Sequence, residues 1–275
     1  MPTDRCRAGI YWPRWNRGCF AALVALLLFM MPGCAPPQAP IPLPALPPIA
    51  AGVLLQQVES CGADVTSLRG LAKVQLANGE KNFTVRQVIL AGYPDRLRTE
   101  TLSPFGSPLL VLASDGQTLA ALLPGEGRFL QGPASAENLR RFTRLPLRLG
   151  DLVGLLLYRP PLLPWEEMRG DSGDADRSYR LFLDGPGTRR QVFSFAADLQ
   201  LTGAAYYDGK ELLLEVGYSD FGSGPPPFPR HAELLLPGYA VTATIHFTEV
   251  ELNVDLAAAL FHLLPPVGVV VEELP

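Results

Sequence analysis

Three histidines occur in the 275-residue chain, His231, His246 and His262, and none stands at a spacing such as H-x-x-x-H that sets two imidazoles on one metal. His246 lies beside Phe247 in an alternating apolar/polar stretch, where a satisfied strand histidine is a simpler reading than a ligand or base. Asp171, Asp174 and Asp176 offer carboxylates that a hard cation such as calcium could use. The surrounding residues 169–176 lack the spacing and distal glutamate of an EF-hand, and they read as a solvated polar loop. No G-x-S-x-G elbow, P-loop or dinucleotide fingerprint is present. A Ser/His/Asp triad needs no proximity in sequence, but nothing here supports one. The expectation is a protein that is not an enzyme, with no metal site and no cofactor.

The chemistry that the chain does suggest is on cysteine. Arg5, Arg7, Arg14 and Arg17 precede an unbroken apolar run over residues 19–31, succeeded by Pro32-Gly33-Cys34. A positive n-region, a short h-region and a small residue before a cysteine have the pattern of a bacterial lipoprotein signal, with Cys34 as the lipidated first residue of the mature chain. An uncleaved anchor and an ordinary signal peptide are the alternatives, and in all three the body of the chain is exported. A membrane-spanning helix needs ~20 apolar residues, more than this run supplies. Cys6 and Cys19 leave with the signal and Cys34 is consumed by lipid. Cys61 is then alone, so no disulfide framework is expected.

Removing residues 1–33 takes away four of the 23 basic residues and one of the 27 acidic ones, leaving a net charge of −7. An acidic chain without a basic run argues against nucleic acid and against a polybasic membrane patch. Residues 35–50 carry seven prolines and read as an extended stalk holding residues 53–275 away from the anchor. Its leucines are not expected to join a core.

Leu54, Val58, Cys61, Val65 and Leu68 form a stripe at helical spacing, interrupted by Gly62, which makes Cys61 a core residue rather than a reactive thiol. Beyond Arg69 the period becomes two. Ala72, Val74 and Leu76 alternate, Asn78-Gly79 is a favoured hairpin turn, and Phe83, Val85 and Ile89 resume the alternation. Further strands are expected over residues 96–102, 109–113 and 118–123. Ser135 should cap a short helix to Phe142, and residues 151–158 make a second helix, apolar nearly all round and therefore buried. Six more strands are expected at 179–183, 191–195, 201–207, 212–218, 232–236 and 240–247. The fold class is mainly β: an antiparallel sheet of about eleven strands with helices at the start and in the middle.

One connection is unusual. Ser103-Pro104-Phe105-Gly106-Ser107 sets a large apolar residue at the tip of a tight turn, where Asn, Asp or Ser is usual. Phe105 either folds back on the sheet or projects toward a partner or membrane.

Taken in order, Leu68-Arg69-Gly70, the segment from Pro94 through Arg96, Arg98 and Glu100, Ser103-Pro104-Phe105-Gly106-Ser107, Leu145-Pro146-Leu147 and Leu152-Val153-Gly154-Leu155-Leu156 resemble the LolB family. These outer-membrane lipoproteins receive lipoproteins from the periplasmic carrier LolA and insert them into the membrane. The match is good over residues 55–160 and weaker through the later strands. The ending, around residues 251–265, is closer to LolA/LolB-like proteins in general.

The resemblance implies an unclosed half-barrel whose concave face holds helices over an apolar, acyl-binding cavity. Val85, Ile89, Leu212, Leu214 and Val216 would face inward, with Leu152, Leu155 and Leu156 as the lid. The same residues could equally fill a solid core. It also implies that the loop of Pro104, Phe105 and Gly106 inserts into membrane, Phe105 standing where the family carries leucine. Ala35 after Cys34 is not the aspartate that retains lipoproteins in the inner membrane, which implies a lipid anchor on the periplasmic face of the outer membrane; a monomer is expected. The implied partners are lipoprotein acyl chains, a LolA-like carrier and the membrane. A non-catalytic scaffold lipoprotein of an envelope assembly, with the same fold and a filled core, is the other reading.

Overall fold

The computed structural model describes residues 46–79, 81–173, 177–224 and 227–275. The signal, Cys34 and most of the proline-rich segment lie outside these residues, as do Asp174 and Asp176.

Among the described residues, fourteen strands form one unclosed sheet in the order β14-β6-β5-β4-β3-β2-β1-β13-β12-β11-β10-β9-β8-β7. The first meander contains β1 (Ser67–Asn78), β2 (Lys81–Gly92), β3 (Arg96–Leu102), β4 (Pro108–Ser114), β5 (Thr118–Leu123) and β6 (Arg128–Pro133). A second begins with β7 (Glu167–Gly173), β8 (Ser178–Asp184), β9 (Arg189–Phe195) and β10 (Leu201–Asp208), and it continues with β11 (Glu211–Phe221), β12 (Pro229–Leu236) and β13 (Val241–Leu252). The two join where β13 pairs antiparallel with β1, from Leu68 opposite Leu252 to Asn78 opposite Val241, with a register shift at Leu71/Ala72. Short β14 (Val271–Glu273) adds in parallel to β6.

Three helices fill the concave side: α1 (Ala51–Ser60), α2 (Ala136–Thr143) and α3 (Leu149–Leu156). Helix α1 is shorter than its apolar stripe predicts. Gly62 takes φ 63°, and a Cβ there would stand 2.6 Å from the Leu157 carbonyl oxygen, so the chain turns against α3 instead of continuing as helix. Val65 and Leu68 are still buried, but from the turn and from β1. Ser135 caps α2 as expected, its hydroxyl accepting from the Asn138 amide. Helix α3 buries six of its eight residues.

Three strands go beyond the expected eleven. Residues 169–173 are no polar loop: β7 runs through them, with Asp171 opposite Arg180. Arg169 lies over the Phe182 ring at 4.1 Å, which covers an apolar surface that sequence polarity conceals. Strands β6 and β14 are the other additions. The proline-rich segment also contributes to the core, since Leu46 is buried and Pro47 accepts a hydrogen bond from the Tyr179 hydroxyl at 3.2 Å.

The C-terminal segment covers the convex face and leaves the cavity free. Leu256 and Phe261 bury Leu90 from outside. Arg96 stacks on the Phe261 ring at 5.2 Å, and Arg98 donates to the Leu260 carbonyl while pairing with Glu100 at 2.6 Å. The charged positions of the segment from Pro94 to Glu100 therefore fasten the chain end to the outer face, while Leu97 and Thr99 line the inside.

Candidate functional site

Strand polarity places the β1–β2, β3–β4, β5–β6 and β12–β13 connections at one end of the half-barrel, its upper end here. Beneath that end a mainly apolar cavity of about 70 Å³, partly open to solvent, lies between β1–β4, β13 and the helices. Ile89, Leu112 and Ile245 form its wall, and Phe142, Leu152 and Leu156 its roof. A ligand pocket typically spans ~300–1,000 Å³, so the cavity as it stands is too small for a long acyl chain. A second void of about 10 Å³ lies under Leu152, Leu155 and Leu156 beside Tyr218.

The expected lining residues divide into two groups. Ile89, Leu152 and Leu156 line the larger cavity, and Leu155 lines the smaller one. Val85 packs half-buried above, and Phe83, two residues nearer the mouth on the same face, is 55% exposed. Leu214 and Val216 are buried in solid core, and Leu212 is half-buried on the same strand. That side is closed by tyrosines. Tyr158 meets Tyr218 edge-on at 4.9 Å and donates to the Leu201 carbonyl at 2.6 Å, while Tyr206 donates to Pro161 at 2.6 Å. Burial raises the pKa of all three hydroxyls, which stay protonated as donors. Between the mouth and the tyrosines the half-barrel is therefore asymmetric, packed under β8–β12 and hollow under β1–β4, while an open recess of about 450 Å³ lies at the opposite end beside Tyr158, Leu201 and Phe228.

Val74, Leu76, Leu97, Leu110 and Leu145 also line the cavity, beyond the residues that the sequence points to. Their alternation in β1, β3 and β4 was legible, but the side of the barrel left hollow depends on where the tyrosines sit.

The loop between β3 and β4 resolves the alternatives for Phe105, which projects with 96% of its surface exposed. Three hydrogen bonds build the loop: Ser103 N–H to the Ser107 carbonyl at 2.8 Å, Gly106 N–H to the Ser103 carbonyl at 3.0 Å, and Ser107 N–H to the Ser103 hydroxyl at 3.1 Å. Gly106 adopts φ 86°, which a side chain resists. Pro104 precedes the tip in the same turn.

Cys61 is half-buried, and its thiol donates to the Tyr158 carbonyl at 3.1 Å. Burial pushes its pKa up to about 12, so it is no nucleophile at neutral pH. His231 and His246 are cross-strand neighbours with ring centroids 5.9 Å apart, and His262 lies 3.5 Å from Asp115. Among the described residues no three His, Cys, Asp or Glu side chains gather as a metal site.

No protein-family profile and no curated protein matches this chain. Solved structures do share its architecture. A LolA-superfamily protein from Nitrosomonas europaea aligns over 78% of this chain and 98% of its own, with TM-score 0.52 and 14% identity. A domain provisionally described as an outer membrane lipoprotein-sorting protein from Vibrio parahaemolyticus covers 77% and 97%, with TM-score 0.51 and 14% identity. A DUF1329-family protein from Desulfovibrio piger covers 77% and 95%, with TM-score 0.52 and 15% identity. The chain thus has the LolA-type fold, an unclosed β-barrel with few helices.

Proposed function

We propose that this chain is an outer-membrane lipoprotein of LolB type, which accepts acyl chains of other lipoproteins from a LolA-like periplasmic carrier and passes them into the membrane. It does so without making or breaking covalent bonds. The lipid on Cys34 is the lasting anchor, and Phe105 is the transient membrane contact. The observation that carries this reading is the exposed Phe105 on a hydrogen-bonded loop at the mouth end, above an apolar cavity roofed by α3. Burial of one phenylalanine in the interface gains about 1.5–3 kcal/mol, enough to tilt a tethered domain but not to hold it. The likeness of fold to a lipoprotein-sorting domain supports the same role.

The test is transfer of a lipoprotein from its carrier to vesicles by the full chain and its Phe105→Glu variant. Cargo should still be accepted while delivery fails; undiminished delivery contradicts the role of the loop. The scaffold reading draws support from the small cavity volume. Native mass spectrometry of the chain purified without its own lipid separates the two, because a scaffold with a filled core carries no acyl ligand.

A further inference from the structure

The chain is acidic overall, yet the fold gathers three arginines in one recess at the mouth. Arg140 and Arg141 occupy the last turn of α2, and Arg144 comes directly after it. With Asn78, Tyr239 and Val241 they line a surface recess of about 270 Å³. Asn78 and Val241 are paired at the upper ends of β1 and β13, so this recess opens at the same end as Phe105. Among the described residues, Arg141 has Glu137 at 4.0 Å, and neither Arg140 nor Arg144 has a carboxylate at ion-pair distance.

A helix C-terminus favours a nearby cation, but three arginines exceed what that needs. Arg144 moreover stands at φ 63°, at the position just past the helix that glycine usually takes. An arginine there accepts backbone strain, and its guanidinium stays in solvent beside the other two.

The apolar neighbours indicate what meets these charges. Tyr239 is 54% exposed in the β12–β13 turn, and Phe83 and Leu109 are exposed near the tips of β2 and β4. Three strand spacings, roughly 15 Å, separate the Phe105 loop from the β12–β13 turn. Aromatic side chains beside guanidinium groups, all at one end, match a phospholipid surface, where rings settle among headgroups and arginine meets phosphate.

We infer that Arg140, Arg141 and Arg144 form a headgroup site for anionic phospholipid, which with Phe105 sets the mouth of the half-barrel face down on the membrane. The inference rests on the membrane role of Phe105 but concerns a different contact. It specifies a lipid class.

The test uses the full chain in nanodiscs of phosphatidylcholine, with or without phosphatidylglycerol, and reads amide hydrogen exchange. Exchange over residues 136–144 should slow in the anionic discs relative to the neutral ones, by at least about fivefold, the worth of one arginine near an anionic surface. The Arg140→Gln/Arg141→Gln/Arg144→Gln variant should lose that slowing. The triple lysine variant should keep a large part of it, and Arg69→Gln, at the opposite end of β1 beside Glu251, should keep all of it. Equal exchange in both discs overturns the inference and assigns the arginines to another partner, such as an acidic protein surface. Undiminished slowing in the glutamine variant also overturns it. Protection of residues 103–107 in both discs reports the Phe105 contact separately; its loss there contradicts the membrane role of the loop and leaves the arginine comparison readable.

Discussion

Ser103 and Ser107 hold each other across the β3–β4 loop, the amide of Ser103 donating to the Ser107 carbonyl at 2.8 Å and the amide of Ser107 to the Ser103 hydroxyl at 3.1 Å. The residue they present, Phe105, makes no use of the fold that presents it. Phe105→Glu should therefore change thermal stability by less than about 0.5 kcal/mol while removing the membrane protection of residues 103–107, the lipid on Cys34 still holding the chain on the vesicle. A marked fall in melting temperature would mean that the phenylalanine packs on its own domain.

The hollow and filled sides of the half-barrel should respond differently to truncation. Leu152→Ala and Leu214→Ala each remove a buried leucine and should each cost about 2–5 kcal/mol in urea unfolding. Only Leu152 borders the cavity under α3, so Leu152→Ala alone should raise the uptake of a fluorescent fatty acid. Equal uptake by the two variants would contradict the asymmetry.

Cys61 should leave a signature at high pH. Its folded pKa is raised from 9.0 to about 12, so below pH 9 both states hold the proton and it adds no pH dependence. Between pH 9 and 12 the unfolded chain releases the proton first, and stability falls by at most about 1.4 kcal/mol per pH unit. Cys61→Ala should remove this part of the slope, read as the difference in urea midpoints between the two proteins. Fast labelling of the folded thiol at pH 7 would show that it is not shielded as described.

The chain end should matter to the sheet although it is remote from the cavity. Phe261 is almost wholly buried against Leu90 and carries Arg96 on its ring. Phe261→Ala should cost about 3–5 kcal/mol and raise amide exchange in β2 and β3. Asn138, which donates to the Pro133 and Pro275 carbonyls, ties the last residue to the start of α2. Asn138→Ala should cost about 1–3 kcal/mol.

Most strands were legible because their apolar residues alternate and their turns carry Asn-Gly or Asp-Gly, as at Asn78-Gly79 and Asp208-Gly209. Strand β7 was not, because its exposed residues are charged and its packing comes from Arg169 lying over Phe182. The end of α1 at Ser60 depends on how close Gly62 comes to Leu157, a contact between segments far apart in sequence. Phe105 was identifiable as out of place in a turn, but its direction depends on hydrogen bonds that only the folded loop makes. The arginine recess was hidden for another reason: Arg140-Arg141 and Arg144 look like an ordinary helix end until β1 and β13 bring Asn78 and Tyr239 beside them.

The proposed role requires acyl chains to enter between α3 and β1–β4. Photocrosslinking with a diazirine-bearing palmitoyl lipoprotein, delivered to the full chain and mapped by mass spectrometry, tests this most directly. Adducts should concentrate on Ile89, Leu112, Leu152 and Leu156, and an excess of unlabelled lipoprotein should compete them away. Adducts confined to Phe105 and other exposed positions, with none under α3, would contradict acyl entry and leave a scaffold with a filled core.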